Sequence, residues 1–244
     1  MNNPDYGTLY GIGVGPGDPD LLPLKSVKIL QQVDIIFAAS STKNDHSQAV
    51  SVAAPHIPAN SDVRLLPFPM TKNSADKEAC WRDHALTIIA ELAKGKDAAF
   101  LTLGDSLTYA TYGYVLKYVL DLAPAAPVVT IPGISAYQAA AARINRPLVE
   151  GEESLLVVSG VEGGHRLRQF SQQVENVVFM KAYRNAADIT DALAENHMLD
   201  GSVAVANCSL ENEEVIEDVR SLRQRKPGYW TLILAKKNGY HGAP

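Results

Sequence analysis

The chain is poor in several residue types that would mark common classes of protein. Only two of its 244 residues are cysteines, which excludes a disulfide framework and indicates free thiols in a reducing compartment. No apolar run approaches the roughly 18 residues of a membrane-spanning helix. The first ten residues lack the basic and apolar regions of a secretory signal. A globular, cytoplasmic protein is therefore expected.

Basic residues are also scarce. The chain has 22 Lys and Arg against 27 Asp and Glu, a formal net charge of −5, and the basic residues form no run. This disfavours nonspecific nucleic-acid binding, although the composition does not exclude a local basic pocket. Hydrophobic residues make up 46% of the chain, enough for a core, and the length fits one large or two small domains.

Short β-rich runs alternate with helical stretches along the first half. Runs such as DIIFA and AAFLTL are apolar on both faces, which is typical of parallel strands covered by helices. Alternation of this kind predicts an α/β layer architecture. The predicted strands are Thr8–Val14, Asp34–Ala38, Arg64–Phe68, Ala98–Leu103 and Val128–Ile131, and the predicted helices cover about 21–32, 46–54, 74–94 and 107–121.

The second half predicts a second α/β domain with a mixed sheet, because glycine-rich and acidic loops there suggest hairpins. The proline-rich stretch at 124–132 is the predicted boundary, which gives an N-terminal domain of 1–130 and a C-terminal domain of 131–244. The strands predicted in this half are Leu155–Ser159, Asn176–Met180, Ser202–Ala206 and Tyr229–Ala235.

A glycine-rich loop, GIGVGPGDPD, leaves the first predicted strand. Its glycines allow close approach of the backbone to a ligand, and the next helix offers free N–H groups. A nicotinamide-binding fingerprint is disfavoured, because Pro16 stands where the third glycine belongs and no acid ends the second strand. A purely structural turn remains an alternative.

Two further loops follow predicted strands in the same way. Gly104-Asp105 follows AAFLTL, and Pro132-Gly133-Ile134-Ser135-Ala136 follows VVTI. Ligands of open α/β sheets bind beyond the carboxyl ends of the strands, so the three loops are expected to converge on one site. Ser135 with Gln138, and Asp105 alone, can also be read as simple helix caps.

Four segments in order resemble the tetrapyrrole (corrin and sirohaem) methyltransferase family: GIGVGPGDPDLLPLKSVKIL, LTLGDSLTYATYGYV, VVTIPGISAYQAAAARINRPL and VVFMKAYRN. Within the family, the second segment and PLVEGEESLLV are most similar to precorrin-2 C-20 methyltransferases. One position departs from the family pattern. Ser106 replaces the proline of the usual Gly-Asp-Pro, so a less rigid loop is expected there.

The resemblance implies a homodimer of two-domain α/β chains that binds S-adenosylmethionine in the cleft between the domains. It also implies methyl transfer to C-20 of precorrin-2 or cobalt-factor II in cobalamin biosynthesis. The implied cofactor contacts are Pro16, Leu103, Gly104, Asp105, Thr108, Ser135, Ala136, Met180 and Ala204.

Precorrin-2 is rich in carboxylates, so cations are expected around it. The candidates are Lys43, Arg143, Arg146 and Arg184, with solvated surface charge as the alternative for each. Asp105, Tyr109 and Tyr112 are candidate catalytic residues. The two tyrosines are predicted to share a helix face, where packing is an equal alternative to lining the site.

Other interpretations stay open on the sequence alone. Cys80 and His84 have a helical spacing that suits metal ligands, but no further ligands can be named and no metal is expected. Rival functions are methylation of C-11, C-17 or uroporphyrinogen III by a member of the same family, a nicotinamide oxidoreductase, and a non-catalytic S-adenosylmethionine sensor.

Overall fold

The computed structural model describes residues 5–41, 46–69, 71, 73–237 and 239. The chain divides into two compact units, unit 1 (Met1–Ser135) and unit 2 (Ala136–Pro244). The predicted boundary after residue 130 falls a few residues before this division, within the last strand of unit 1. Each unit contains one sheet and its own hydrophobic core.

Unit 1 contains a five-stranded parallel sheet in the order β3-β2-β4-β1-β5. Its strands are β1 (Leu9–Gly13), β2 (Ile35–Ser41), β3 (Asp62–Phe68), β4 (Ala98–Thr102) and β5 (Val128–Ile131). Its helices are α1 (Leu24–Leu30), α2 (Gln48–Ala53), α3 (Ser74–Leu92) and α4 (Tyr112–Leu122).

The central strands of unit 1 are apolar on both faces because helices cover both sides of the sheet. Every residue of β4 is buried. Phe37 and Phe100 pack with α3 and α4 in one core cluster, and Ile12 and Leu101 pack with α1 and α2 in another. The expected doubly covered parallel sheet is confirmed.

Unit 2 contains a mixed sheet in the order β6-β7-β10-β8-β9, in which β10 runs antiparallel to both its neighbours. Its strands are β6 (Leu155–Ser159), β7 (Asn176–Met180), β8 (Ser202–Ala206), β9 (Glu214–Ile216) and β10 (Thr231–Lys236). Its helices are α5 (Ala136–Arg143), α6 (His165–Phe170) and α7 (Ala186–Glu195).

Several element boundaries differ from the predicted ones, and two of these differences have a clear local cause. The helix predicted from 107 begins only at Tyr112, because the preceding residues form a turn around the Asp105 side chain and Tyr109 adopts a left-handed φ of 53°. The last strand begins at Thr231 because Tyr229 and Trp230 form a turn. No helix in the described part of the chain has both the length and the apolarity needed to cross a membrane.

Candidate active site

The three predicted loops of unit 1 meet at one edge of the sheet. They follow β1, β4 and β5, and β1 lies between the other two strands, so all three loops leave the same carboxyl edge. Gly15 and Gly104 bind each other through two backbone hydrogen bonds, with N···O distances of 3.2 and 2.7 Å. Both glycines have positive φ, near 78° and 74°, which other residues rarely adopt.

Gly13, Gly104 and Gly133 form a close backbone contact that we call the glycine junction. A Cβ on Gly133 would lie 2.2 Å from the Gly104 carbonyl oxygen, and a Cβ on Gly13 would lie 2.5 Å from the Gly133 nitrogen. Since both neighbours are backbone atoms, neither can give way. The junction therefore brings main-chain groups of three loops together without intervening side chains, as a ligand held by backbone contacts requires.

The Asp105 carboxylate connects two of these loops. Oδ1 accepts hydrogen bonds from the Leu107 amide at 3.0 Å and the Thr108 hydroxyl at 2.8 Å, and Oδ2 accepts one from the Gly133 amide at 3.3 Å. The first of these bonds organises the turn that follows β4. The bond to Gly133 goes further than a local cap, because it fixes the loop after β4 to the loop after β5.

Ser106, which stands where the family usually has proline, is completely buried. Its hydroxyl donates a hydrogen bond of 3.0 Å to the carbonyl oxygen of Ile131, at the end of β5. The expectation of a less rigid loop did not take this hydrogen bond into account. The bond ties the loop after β4 to the end of β5, whereas a proline at this position would restrict φ.

The predicted common helix face for Tyr109 and Tyr112 is wrong. Tyr109 precedes α4 and is 46% exposed, whereas Tyr112 is the first helical residue and is completely buried. The Tyr112 ring lies over Gly11 of β1, and its hydroxyl is 3.1 Å from the Thr130 hydroxyl. Burial raises the pKa of Tyr112. The packing interpretation of Tyr112 is the one that its surroundings support.

The remaining cofactor candidates of unit 1 lie around the same edge. Pro16 is buried within the first loop, and Leu103 and Thr108 are partly buried before and after Asp105. Ser135 is buried directly before α5, and Ala136 begins that helix in unit 2. The capping box of Ser135 with Gln138 stays a prediction.

In unit 2, the candidates Met180 and Ala204 occupy different positions. Met180 ends β7, whereas Ala204 lies in the middle of β8 with its side chain in the core. The residues that follow the two strands, Lys181 and Asn207, both have left-handed backbones, with φ of 58° and 51°. Strained backbone of this kind is enriched at functional sites. Burial lowers the pKa of Lys181.

Arg143, a predicted substrate contact, is paired within unit 2. Its Nε donates to Glu213, whose other carboxylate oxygen accepts a hydrogen bond from the Ser209 amide at 2.7 Å. Burial would raise the pKa of Glu213, but the Ser209 amide and the Arg143 guanidinium lower it overall. Cys208, which precedes Ser209, is buried, and burial raises the pKa of its thiol to about 11. Arg143 thus holds the loop between β8 and β9.

Arg146 lies at the end of α5, where the helix closes in a Schellman motif. Asn145 has a φ of 52°, and the Arg146 amide donates to the Ala141 carbonyl oxygen at 3.0 Å. This turn places both predicted arginines on one surface pocket of about 250 Å³. The pocket is lined by Arg143, Ile144, Arg146, Val203, Val215 and Glu217.

The structure describes only one of the other two predicted cations. Arg184 is exposed after β7, with its Cζ 5.4 Å from the centroid of the Tyr183 ring. Lys43 lies outside the described residues.

The Cys80–His84 pair does come together on α3. Cys80 Sγ is 3.1 Å from His84 Nε2, which is also 2.9 Å from the Pro67 carbonyl oxygen. Burial, with a smaller effect of Asp83, raises the pKa of the Cys80 thiol. Within the described ranges, no group of three or more metal-ligating side chains occurs.

The sequence matches one known family over most of its length. Residues 8–222 match the family described as Tetrapyrrole (Corrin/Porphyrin) Methylases, and this range contains the glycine junction, Asp105 and the ends of β7 and β8. The chain belongs to this family. The membership gives no support to the nicotinamide oxidoreductase interpretation.

Relatives in the family are similar along nearly the whole chain. A cobalt-precorrin-2 C(20)-methyltransferase from Salmonella typhimurium is 31% identical over 95% of this chain and 97% of its own length. A precorrin-2 C(20)-methyltransferase from a Sinorhizobium species is 30% identical over 96% of this chain and 97% of its own.

Solved structures from the family share the fold. The methyltransferase CobJ superposes with a TM-score of 0.73 at 16% identity, covering 98% of this chain and 97% of its own. Uroporphyrin-III C-methyltransferase from Thermus thermophilus, complexed with S-adenosyl homocysteine, gives 0.65 at 21% identity, covering 93% and 97%.

Sequence reasoning within this family missed residues whose role depends on long-range contacts. The pairing of Arg143 with Glu213 and the left-handed backbone of Lys181 left no local signal in the sequence. Asn207 did carry one, since asparagine adopts the left-handed conformation more often than most residues.

Proposed function

We propose that the protein transfers a methyl group from S-adenosylmethionine to C-20 of precorrin-2 or of its cobalt-containing counterpart, cobalt-factor II, in cobalamin biosynthesis. The observation that carries the proposal is the 31% identity, over nearly the whole of both chains, to a relative named for this reaction. The second relative named for C-20 supports the same position on the ring.

The residues of unit 1 fit such a cofactor. A Cβ at Gly13 or Gly133 would collide with backbone atoms of the neighbouring loops, so these glycines let the three loops approach closely and present main-chain groups that suit adenosine. We assign binding of the cofactor to Pro16, Leu103, Gly104, Asp105, Thr108, Ser135, Ala136 and Met180. Ala204 would contact the cofactor only through its backbone atoms in β8, because its side chain lies in the core.

When bound, S-adenosylmethionine supplies a methyl group already activated by a sulfonium. The protein needs to orient the reactants and exclude water, and orientation alone can contribute up to roughly 10 kcal/mol. Asp105 serves this purpose because its hydrogen bond with Thr108 orders the loop after β4, and its hydrogen bond with Gly133 fixes that loop to the loop after β5. Tyr109 is exposed beside the same turn and is available to a substrate, whereas buried Tyr112 supports the sheet.

The substrate's carboxylates need cations. We assign Arg184 and Arg146 to this role. Arg143 acts indirectly, since its guanidinium is bound to Glu213. We also propose that the enzyme is cytoplasmic and that it is a homodimer. Light scattering of the purified protein tests the oligomeric state directly. The free thiols Cys80 and Cys208 are consistent with a reducing compartment.

The decisive experiment uses a carbon-13-labelled methyl donor. The protein is incubated anaerobically with labelled S-adenosylmethionine and precorrin-2, with and without cobalt in the ring, and the product is examined by NMR. A labelled methyl at C-20 is expected. A label at C-11, C-17 or another carbon would reassign the protein within its family, and cofactor binding without transfer would favour a sensor.

A further inference from the structure

Two large aromatic residues occupy the centre of a tight turn in unit 2. In the turn Gly228–Thr231, the Thr231 amide donates to the Gly228 carbonyl oxygen at 3.2 Å, with Tyr229 and Trp230 between them. Small or polar residues usually occupy such central positions. Tyr229 is 46% and Trp230 42% exposed, so neither ring is accounted for by burial in the core.

This turn is held firmly against the ends of two strands. The Trp230 carbonyl oxygen accepts a hydrogen bond from the Asn207 amide at 3.1 Å, and the Thr231 carbonyl oxygen accepts one from the Ala182 amide at 2.8 Å. The aromatic residues therefore sit at the edge where β7 and β8 end. This is the edge that carries Met180 and the left-handed residues Lys181 and Asn207.

A third ring joins them. The centroids of Tyr183 and Tyr229 are 5.0 Å apart with their planes tilted by 56°, and those of Tyr229 and Trp230 are 6.3 Å apart in an edge-to-face arrangement. We call Tyr183, Tyr229 and Trp230 the aromatic edge. Burial, followed by Tyr183, raises the pKa of Tyr229, so the phenol is neutral over the physiological range.

Arg184 adds a positive charge beside these rings. It is exposed, its guanidinium lies over the Tyr183 ring at 5.4 Å, and it forms no ion pair with any carboxylate among the residues that the structure describes. Arg143 and Arg168, in contrast, are bound to glutamate or aspartate within the unit. The guanidinium of Arg184 thus keeps its donors for a ligand's carboxylate.

Three partly exposed rings beside an unpaired guanidinium complement a conjugated ring system that carries carboxylates. We propose that the aromatic edge packs against the macrocycle of the tetrapyrrole substrate while Arg184 binds one of its carboxylates. This inference rests on the proposed function and deepens it. The cofactor is a poorer fit for this surface, because it offers one adenine ring and one carboxylate, against the larger ring system and several carboxylates of the tetrapyrrole, and its sulfonium is repelled by an adjacent guanidinium.

Binding of sirohydrochlorin, the oxidised and metal-free form of precorrin-2, to the full chain tests the proposal. Calorimetry is expected to show a Kd about tenfold weaker for Tyr229→Ala and for Trp230→Ala, the size of a lost aromatic contact. Arg184→Lys should also weaken binding, because lysine cannot form the bidentate contact. The Kd for S-adenosylhomocysteine should not change in any of these variants.

Two further variants separate the aromatic contribution from general damage. Trp230→Phe keeps a ring and is expected to stay within about threefold of the wild-type Kd, whereas Trp230→Leu should bind as weakly as the alanine variant. The matched control is Tyr114→Ala in unit 1, which removes an equally exposed tyrosine that stacks on Trp81. Its Kd for sirohydrochlorin should equal that of the wild type.

Unchanged binding in both alanine variants, with the wild-type melting temperature, would overturn the aromatic edge as a substrate surface. An equal loss of S-adenosylhomocysteine affinity would assign the rings to the cofactor and overturn it as well. These results leave methylation by the wild-type protein intact. Failure of the wild type to bind or methylate any tetrapyrrole would instead reject the proposed function together with this inference.

Discussion

At the scale of single residues, Asp105 does more than a helix cap would, because it also joins two loops. Replacing it with alanine removes bonds to Leu107 and Thr108 and the link to Gly133. The cap accounts for about 1 kcal/mol of stability and the link for about 1 more. We expect methyl transfer to fall roughly 100-fold, since misplacing reactants by about 1 Å has that effect.

Asp105→Asn is the matched control. It keeps Oδ1 as the acceptor for Leu107 and Thr108 but puts an amide where Oδ2 accepts from Gly133. Steady-state rates and thermal melting of both variants measure the two effects. Activity of Asp105→Ala close to the wild-type rate would show that Asp105 only stabilises its turn.

Gly11 tests the packing role of Tyr112. A Cβ at Gly11 would lie 2.1 Å from the Tyr112 ring, which is held in the core of unit 1. Gly11→Ala is therefore expected to lower the free energy of unfolding by about 3 kcal/mol. The control is Gly113, which follows Tyr112 in α4 and would have no atom within contact distance of an added Cβ. Gly113→Ala should therefore raise the free energy of unfolding by about 0.5–1 kcal/mol. Denaturant unfolding of both variants measures the difference, and equal effects would refute the proposed contact.

At the scale of secondary-structure elements, Lys236 links β10 to the segment before β6. Its buried ammonium is 2.8 Å from Glu150 and 2.9 Å from Glu153. Lys236, followed by Asn176, lowers the pKa of Glu153, so this contribution to stability is complete above the ordinary carboxyl value of 4.5 and is lost as the pH falls below it. The carboxylates raise the pKa of Lys236, so its own contribution is lost only as the pH rises beyond 10.5.

Lys236→Met is expected to lower the melting temperature at pH 7 and to flatten its decrease as the pH falls from 5 to 3, because the lowered pKa of Glu153 makes the stability of the wild type depend on pH in that range. Melting curves across that range measure the change. Lys237→Met, the neighbouring lysine outside the ion pairs, serves as control. If the melting temperature of Lys236→Met falls with pH as steeply as that of the wild type, the ion pairs of Lys236 do not stabilise the fold.

The sequence predicted elements well where periodicity alone decides them. The bounds of β5, β6, β7 and β8 match the predicted ones, because each is a short apolar run between clear turn residues. The start of α4 was predicted too early, since helical periodicity continues through the turn that the Asp105 side chain organises. Contacts between distant residues, such as Arg143 with Glu213, have no sequence period to reveal them.

At the scale of the whole molecule, cofactor binding should stabilise the folded protein. We expect S-adenosylmethionine and S-adenosylhomocysteine to bind with micromolar affinity, roughly −8 kcal/mol. At a hundredfold excess over Kd, a ligand that binds only the folded state adds about 2.7 kcal/mol of stability. Calorimetry and melting with S-adenosylhomocysteine measure both values. NAD should leave the melting temperature unchanged, and stabilisation by NAD alone would overturn the cofactor assignment.

The two cysteines differ in a way that makes the opening of unit 2 measurable by itself. Cys80 is partly exposed on α3 of unit 1, whereas Cys208 is buried beside β8 in unit 2, with a thiol pKa of about 11. A thiol of that kind reacts with alkylating reagents only when its surroundings open. In a Cys80→Ser variant, the rate at which iodoacetamide alkylates the native protein therefore measures the transient opening of unit 2 alone.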